Sequence, residues 1–195
     1  VSWSEIALVA LGAVVVGLLF AWQGASRIDR LHRKVAASRI ALDAQLVRRA
    51  SAAVELATSG VLDPASAVLV ADAAYAASDA GAVTSPAAAL KMDGLDSARE
   101  RAESGLTATL REAFGSPEAV HDLRVGPSGE VLEGLAAAWY RVTLARRFHN
   151  EAVAQTRRVR RLWYVRLFHL AGRAPMPRTV ELDDALPHGL EPAGG

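Results

Sequence analysis

Cysteine is absent from this 195-residue chain, which excludes disulfides, thiolate metal sites and cysteine nucleophiles and agrees with a cytoplasmic main domain. Lysine is almost absent as well: Lys34 and Lys91 are the only two of 22 basic side chains, and the rest are arginine. Aromatic residues amount to 6% and β-branched residues are sparse beside abundant alanine, which favours helix over sheet. Glycines cluster only at breaks in the pattern. There is no GxGxxG or GxxxxGK to cradle a phosphate. The histidines, His32, His121, His149, His169 and His188, are scattered and lack HExxH or carboxylate spacing. No nucleophile with its base, no metal set, no cofactor loop and no small-molecule substrate site is therefore expected. The expectation is a protein that is not an enzyme.

What the chain does have is one long uncharged run, IALVALGAVVVGLLFAW from Ile6 to Trp22. As a helix these roughly 17 residues rise about 25 Å, the short end of what crosses a bilayer. Trp3 and Trp22 stand at the two ends, where indole rings favour the headgroup layer, so the expected anchor is residues 3–22, with Ile6, Leu18 and Phe20 facing lipid. A buried core helix is the alternative, but the run is apolar on every face. A cleaved signal is disfavoured by the acidic Glu5 ahead of the run and by the weak site at Gly24, Ala25 and Ser26. Arg27, Arg30, Arg33, Lys34 and Arg39 follow the run, opposed by Asp29. Positive flanks stay in the cytoplasm, so the N-terminus is expected outside and the main domain inside a bacterial cell membrane.

The remaining chain fits one helical domain, residues 27–173. From Arg27 to about Ser59 the positions Ile28, Leu31, Val35, Leu42, Leu46, Ala50, Ala53 and Ala57 recur near every 3.5 residues, a coiled-coil-like helix stopped by Gly60 and free to continue from the anchor. Asp63–Pro64 and Ser85–Pro86 each pair a capping side chain with a first-turn proline and start two further helices, one to about Ser78 and one to about Phe114, weakened at Gly94 and closed by Gly115 and Pro117. After the break at Gly126–Gly129 nothing interrupts the pattern until Gly172, so a last helix of roughly 43 residues is expected. Matched lengths suggest an all-α, antiparallel bundle of three columns, with the two middle helices end to end. Residues 174–195, with Pro175, Pro177, Pro187 and Pro192, read as an extended tail without a core of its own, in which Arg178, Thr179, Val180, Glu181 and Leu182 form a short segment ending in Asp183 and Asp184 that can add to a partner or fold back on the bundle.

Charge is unevenly placed. Residues 27–50 carry seven basic and two acidic side chains, 51–135 five and thirteen, 141–173 nine and one. Two basic elements flanking an acidic one suggest pairing inside the fold. Asn150, unfavourable inside a long helix, is expected to make a buried polar contact with Arg48 or Arg49.

The stretch ARRFHNEAV (Ala145–Val153), together with LDAQLVRR (Leu42–Arg49) and the N-terminal anchor, resembles the LemA family of bacterial membrane proteins. Its motif residues fall here on Asp43, Gln45, Leu46, Arg48, Arg49, Ala145, Arg146, Asn150, Ala152 and Val153. The chain departs from the pattern at His149, at Ala138 and Trp139, at Tyr164 and at Ala50–Ala53. The resemblance implies a single N-terminal span, a helical bundle and no catalytic site. The expected function is a membrane-anchored interaction or scaffold module with a protein partner or a second copy of itself, bound to the bilayer through residues 3–22. Its candidate surface is Arg146, Arg147, Asn150, Arg157, Arg161, Trp163 and Tyr164. The alternative is nucleic-acid or anionic-surface binding by the arginine-rich last helix. Nucleic acid is the weaker form, because Arg146, Arg147, Arg157, Arg158, Arg160 and Arg161 spread around most of the helix. The lipid form has its own difficulty, since three alternating columns leave the end of the last helix far from the membrane.

Overall fold

The computed structural model describes residues 2–81, 94–126, 129–172, 174–187 and 190, all of them helical or irregular. The expected start at Ser85–Pro86 and the tail's end with Pro192 lie outside the described residues.

The first element, α1 (Trp3–Thr58), is one uninterrupted helix of 56 residues, roughly 84 Å long. Ser2 and Glu5 open it with a reciprocal capping box: the Ser2 N–H donates to Glu5 Oε2 at 2.9 Å, and the Glu5 N–H to Ser2 Oγ at 3.4 Å. Between Trp22 and Arg27 only Gly24 weakens the helix, and the chain runs through it. The apolar part of α1 is long and apolar enough to cross a membrane, and its large side chains, Trp3, Ile6, Leu18, Phe20 and Trp22 among them, are exposed. From Ile28 onward the same helix buries one stripe, Ile28, Leu31, Val35, Leu42, Leu46, Ala53 and Leu56.

Gly60, at φ 78°, lets the chain leave α1. Asp63 then caps α2 (Pro64–Gly81), its Oδ1 accepting from the Ala65 and Ser66 N–H groups at 3.0 and 3.1 Å. Next come α3 (Ser97–Phe114), α4 (Pro117–Val125), α5 (Gly129–Arg160) and a single-turn α6 (Trp163–Leu167).

Three expectations change. The helix expected to run through Gly94 begins after it: Gly94 sits at φ 73°, and α3 starts at Ser97. Pro117, expected only to close a helix, opens α4 with Ser116 Oγ accepting from the Ala119 N–H. The last helix ends at Arg160 rather than near Gly172. No glycine or proline stops it there. Leu162 is extended, and the turn lets Tyr164, Val165 and Leu170 pack on Ile28 and Leu31, so tertiary contact overrides helix propensity.

The two middle helices lie side by side instead of end to end. Val70, Ala74 and Ala77 of α2 share one core with Leu106, Leu110 and Phe114 of α3, and with Leu56, Leu132, Leu135 and Trp139. End to end, each would cover only half of the α1–α5 pair; side by side, they also cover each other's apolar face. Along that pair Lys34 bonds Gln155, Ser38 contacts His149, and Leu42 and Leu46 share a cluster with Val142. Residue numbers thus fall along α5 as they rise along α1. The extra reversal brings the end of α5 back to Ile28, beside the apolar run. That removes the expected separation between the last helix and that run.

Candidate functional site

Among the described residues, the half of the bundle nearest the apolar run has two long helices, α1 and α5, and its third wall is the tail. Residues 174–187 carry no helix or strand, yet Val180 and Leu182 are buried with Leu42, Leu46, Leu95 and Val142. The tail therefore has no core of its own but completes one, lying in a groove between α3 and α5.

Each wall supplies a stripe at helical spacing: Glu100, Ser104, Thr107 and Arg111 from α3, and Trp139, Arg146, Asn150, Arg157 and Arg160 from α5. All of these side chains except Arg146 bond the tail's main chain. Arg160 donates to the carbonyls of Ala174 and Pro175, and Arg157 to that of Pro177 at 2.7 Å. Asn150 takes both groups of one residue, accepting from the Val180 N–H at 2.9 Å and donating to the Val180 carbonyl at 3.0 Å. The Glu181 N–H donates to Glu100 and the Asp183 N–H to Ser104. Thr107 donates to the Asp183 carbonyl at 2.7 Å, and the Trp139 indole to the Asp184 carbonyl at 2.9 Å.

Two acidic side chains complete the clamp. Asp184 is held by a two-pronged Arg146 guanidinium, both contacts at 2.8 Å, and Asp183 by Arg111 at 2.7 and 2.9 Å. The Arg111 hydrogen bonds hold the Asp183 carboxyl below the ordinary carboxylate value. Chemically the groove reads an extended Val-x-Leu-Asp-Asp segment through its backbone, two apolar side chains and two carboxylates.

Behind the groove lies a polar chain inside the core. Arg49 is 0% and Glu103 1% exposed, joined at 2.8 Å. Arg49 also donates to Thr107 at 3.0 Å, and its guanidinium carbon lies 5.4 Å from the Trp139 ring centre. Arg99 continues the chain from Glu103 to Asp43. Gly81 leaves the space it needs: a Cβ there would sit 2.8 Å from the Arg99 guanidinium.

The expected charge pairing holds for Arg49 but not for the last helix, of whose arginines Arg146, Arg157 and Arg160 go to the tail rather than to the acidic middle of the chain. Asn150 likewise meets Val180 instead of Arg48 or Arg49; Arg48 is exposed. The seven candidate surface residues divide. Arg146, Asn150 and Arg157 line the groove, Arg147 points outward, and Arg161, Trp163 and Tyr164 stand at the end of α5, the two rings edge to face at 6.0 Å. Of the motif residues, Leu46, Ala152 and Val153 are buried in the core, Ala145 is half-buried, and Gln45 borders a shallow groove with Leu144 and Phe148.

Sequence reasoning missed Glu103, Arg99, Thr107, Arg111 and Trp139. It also missed His149, which is buried, and its pKa lies below 6.5 through burial first and the Arg39 charge second, with the Arg178 backbone opposing by less. Among the described residues no three His, Asp or Glu side chains converge on a metal position. Neither a family model, nor a curated protein, nor a solved structure matches this chain.

Proposed function

We propose that this chain is a single-pass bacterial membrane protein of the LemA type that works as an interaction module rather than an enzyme. Residues 3–22 are its anchor, the N-terminus lies outside, and the bundle stands in the cytoplasm. The observation that supports an interaction role is the α3–α5 groove, whose walls bond main-chain groups of an extended segment along some ten residues. Main-chain bonding gives affinity, while the pockets for Val180 and Leu182 and the forks for Asp183 and Asp184 give specificity. The tail is then the occupant in cis, and a partner carrying a similar apolar-acidic segment is the occupant in trans.

The test expels the tail without touching the walls. In full-length protein carrying Val180→Asp and Leu182→Asp, a labelled peptide of residues 174–190 is expected to bind in solution, and the wild type, already occupied, is expected to bind far less. Binding to neither protein would mean the groove exists only as part of folding, and the interaction reading would fall. For the nucleic-acid alternative, the arginines that line the groove are committed to the tail, which leaves Arg147, Arg158, Arg161 and Arg166 outward. Retention of nucleic acid at low salt by the wild type, lost in Arg158→Gln with Arg161→Gln, would favour it.

A further inference from the structure

We propose that the segment from Leu162 to Leu170 is an interfacial foot that binds anionic phospholipid headgroups of the bilayer holding residues 3–22. It rests on the anchor reading of those residues.

The geometry begins at Gly24, where Leu170 lies so close that a Cβ would sit 2.7 Å from its Cδ1. The foot is thus flush against α1, just past Trp22. From there it reaches back along the apolar run: Trp163 and Phe168 line one cleft with Gly17 and Phe20, a space of about 950 Å³. At 1.5 Å per residue Gly17 lies roughly 7 Å before Trp22, the depth at which interfacial elements bury their apolar faces. His169, at φ 49°, takes the left-handed turn between Phe168 and Leu170, so that one ring points away while Leu170 folds back on the helix. Three large apolar side chains are left uncovered: Trp163 is 72% exposed, Leu167 62% and Phe168 60%. In water that cluster has no partner, and in a membrane interface it has one.

Charge selects the lipid. Arg27 and Arg30 line the same cleft, and Arg161, just ahead of the foot, and Arg166, on it, are exposed. From Ala152 to Val180 there is no Asp or Glu at all. Cations ringing an aromatic patch at the exit of a span match phosphate-bearing anionic headgroups, each basic residue near such a surface contributing roughly fivefold in affinity.

The native chain has no cysteine, so single cysteines report depth cleanly. Full-length protein labelled with a fluorophore at Leu167→Cys, Phe168→Cys or Phe20→Cys is placed in nanodiscs of phosphatidylcholine, alone or with roughly one third phosphatidylglycerol. Brominated acyl chains are expected to quench all three probes. Phosphatidylglycerol is expected to deepen quenching at 167 and 168 but not at 20, and Arg161→Gln with Arg166→Gln to remove that dependence. Quenching at 20 without quenching at 167 and 168 would overturn the foot while leaving the anchor intact, and would assign the aromatic patch to a protein contact. No quenching at 20 would overturn both. Equal quenching with and without phosphatidylglycerol would overturn the headgroup selection.

Discussion

Arg49 and Glu103 each occupy a place from which water is excluded, so each depends on the other for its charge. Removing one partner of such a pair strands the remaining ion and costs about 3–5 kcal/mol, whereas replacing both by apolar side chains of similar size is often close to neutral. Glu103→Ala is therefore expected to lower unfolding stability by about that amount in a denaturant titration of the solubilised protein. Arg49→Met with Glu103→Leu is expected to recover most of the loss. His149 gives a second residue-level prediction. Its folded pKa is lowered below its ordinary 6.5, so its contribution is fully present above that value and is lost as pH falls through it toward the folded value. His32, lowered by burial and by Arg160, acts in the same direction. Thermal stability should decline as pH falls below 6.5. In His149→Gln that decline should be shallower, and an unchanged slope would remove His149 as its source. Asp183 acts lower down: its stabilisation is present above the ordinary carboxylate value and disappears as pH falls below it.

Among the elements the tail matters most, because it closes the core between α3 and α5. Leu182→Ala is expected to cost roughly 2 kcal/mol or more, the lower range for a buried leucine. Limited proteolysis should then cut between residues 174 and 187, where the wild type resists. The same element shows which parts of the fold could be read in advance. The continuity of α1 was legible because no breaker separates Trp22 from Arg27, and the start of α2 because Asp63 and Pro64 are a local device. The end of α5 at Arg160 was not, since its cause is contact with Ile28 and Leu31, more than 125 residues away in sequence. Helix lengths alone could not tell α2 and α3 stacked end to end from α2 and α3 side by side. The groove was half legible: Glu100, Ser104, Thr107 and Arg111 share one face by spacing, as do Arg146, Asn150 and Arg157. Their targets are mostly main-chain carbonyls and amides, which every residue carries and no residue type announces. Only Asp183 and Asp184, side by side in the tail, marked where two of the arginines go.

For the whole molecule, the proposed orientation is checked by cysteines placed on either side of the span. Ser4→Cys should react with a membrane-impermeant maleimide in intact cells, and Glu118→Cys only after permeabilisation; the reverse pattern would invert the topology. Because α1 is a single rod, a bilayer holding residues 3–22, as proposed, would deliver whatever it does to that end of the helix to the other end. From Trp22 to Thr58 is roughly 54 Å, so a tilt of about 20° would carry the far tip sideways by about 18 Å. Thinning or thickening of the membrane thereby becomes a lateral sweep of the bundle, as a short stroke at one end of a lever becomes a long one at the other. With Trp163, Leu167 and Phe168 resting beside the pivot, the molecule carries an outrigger on one side only, and its lean acquires a preferred direction.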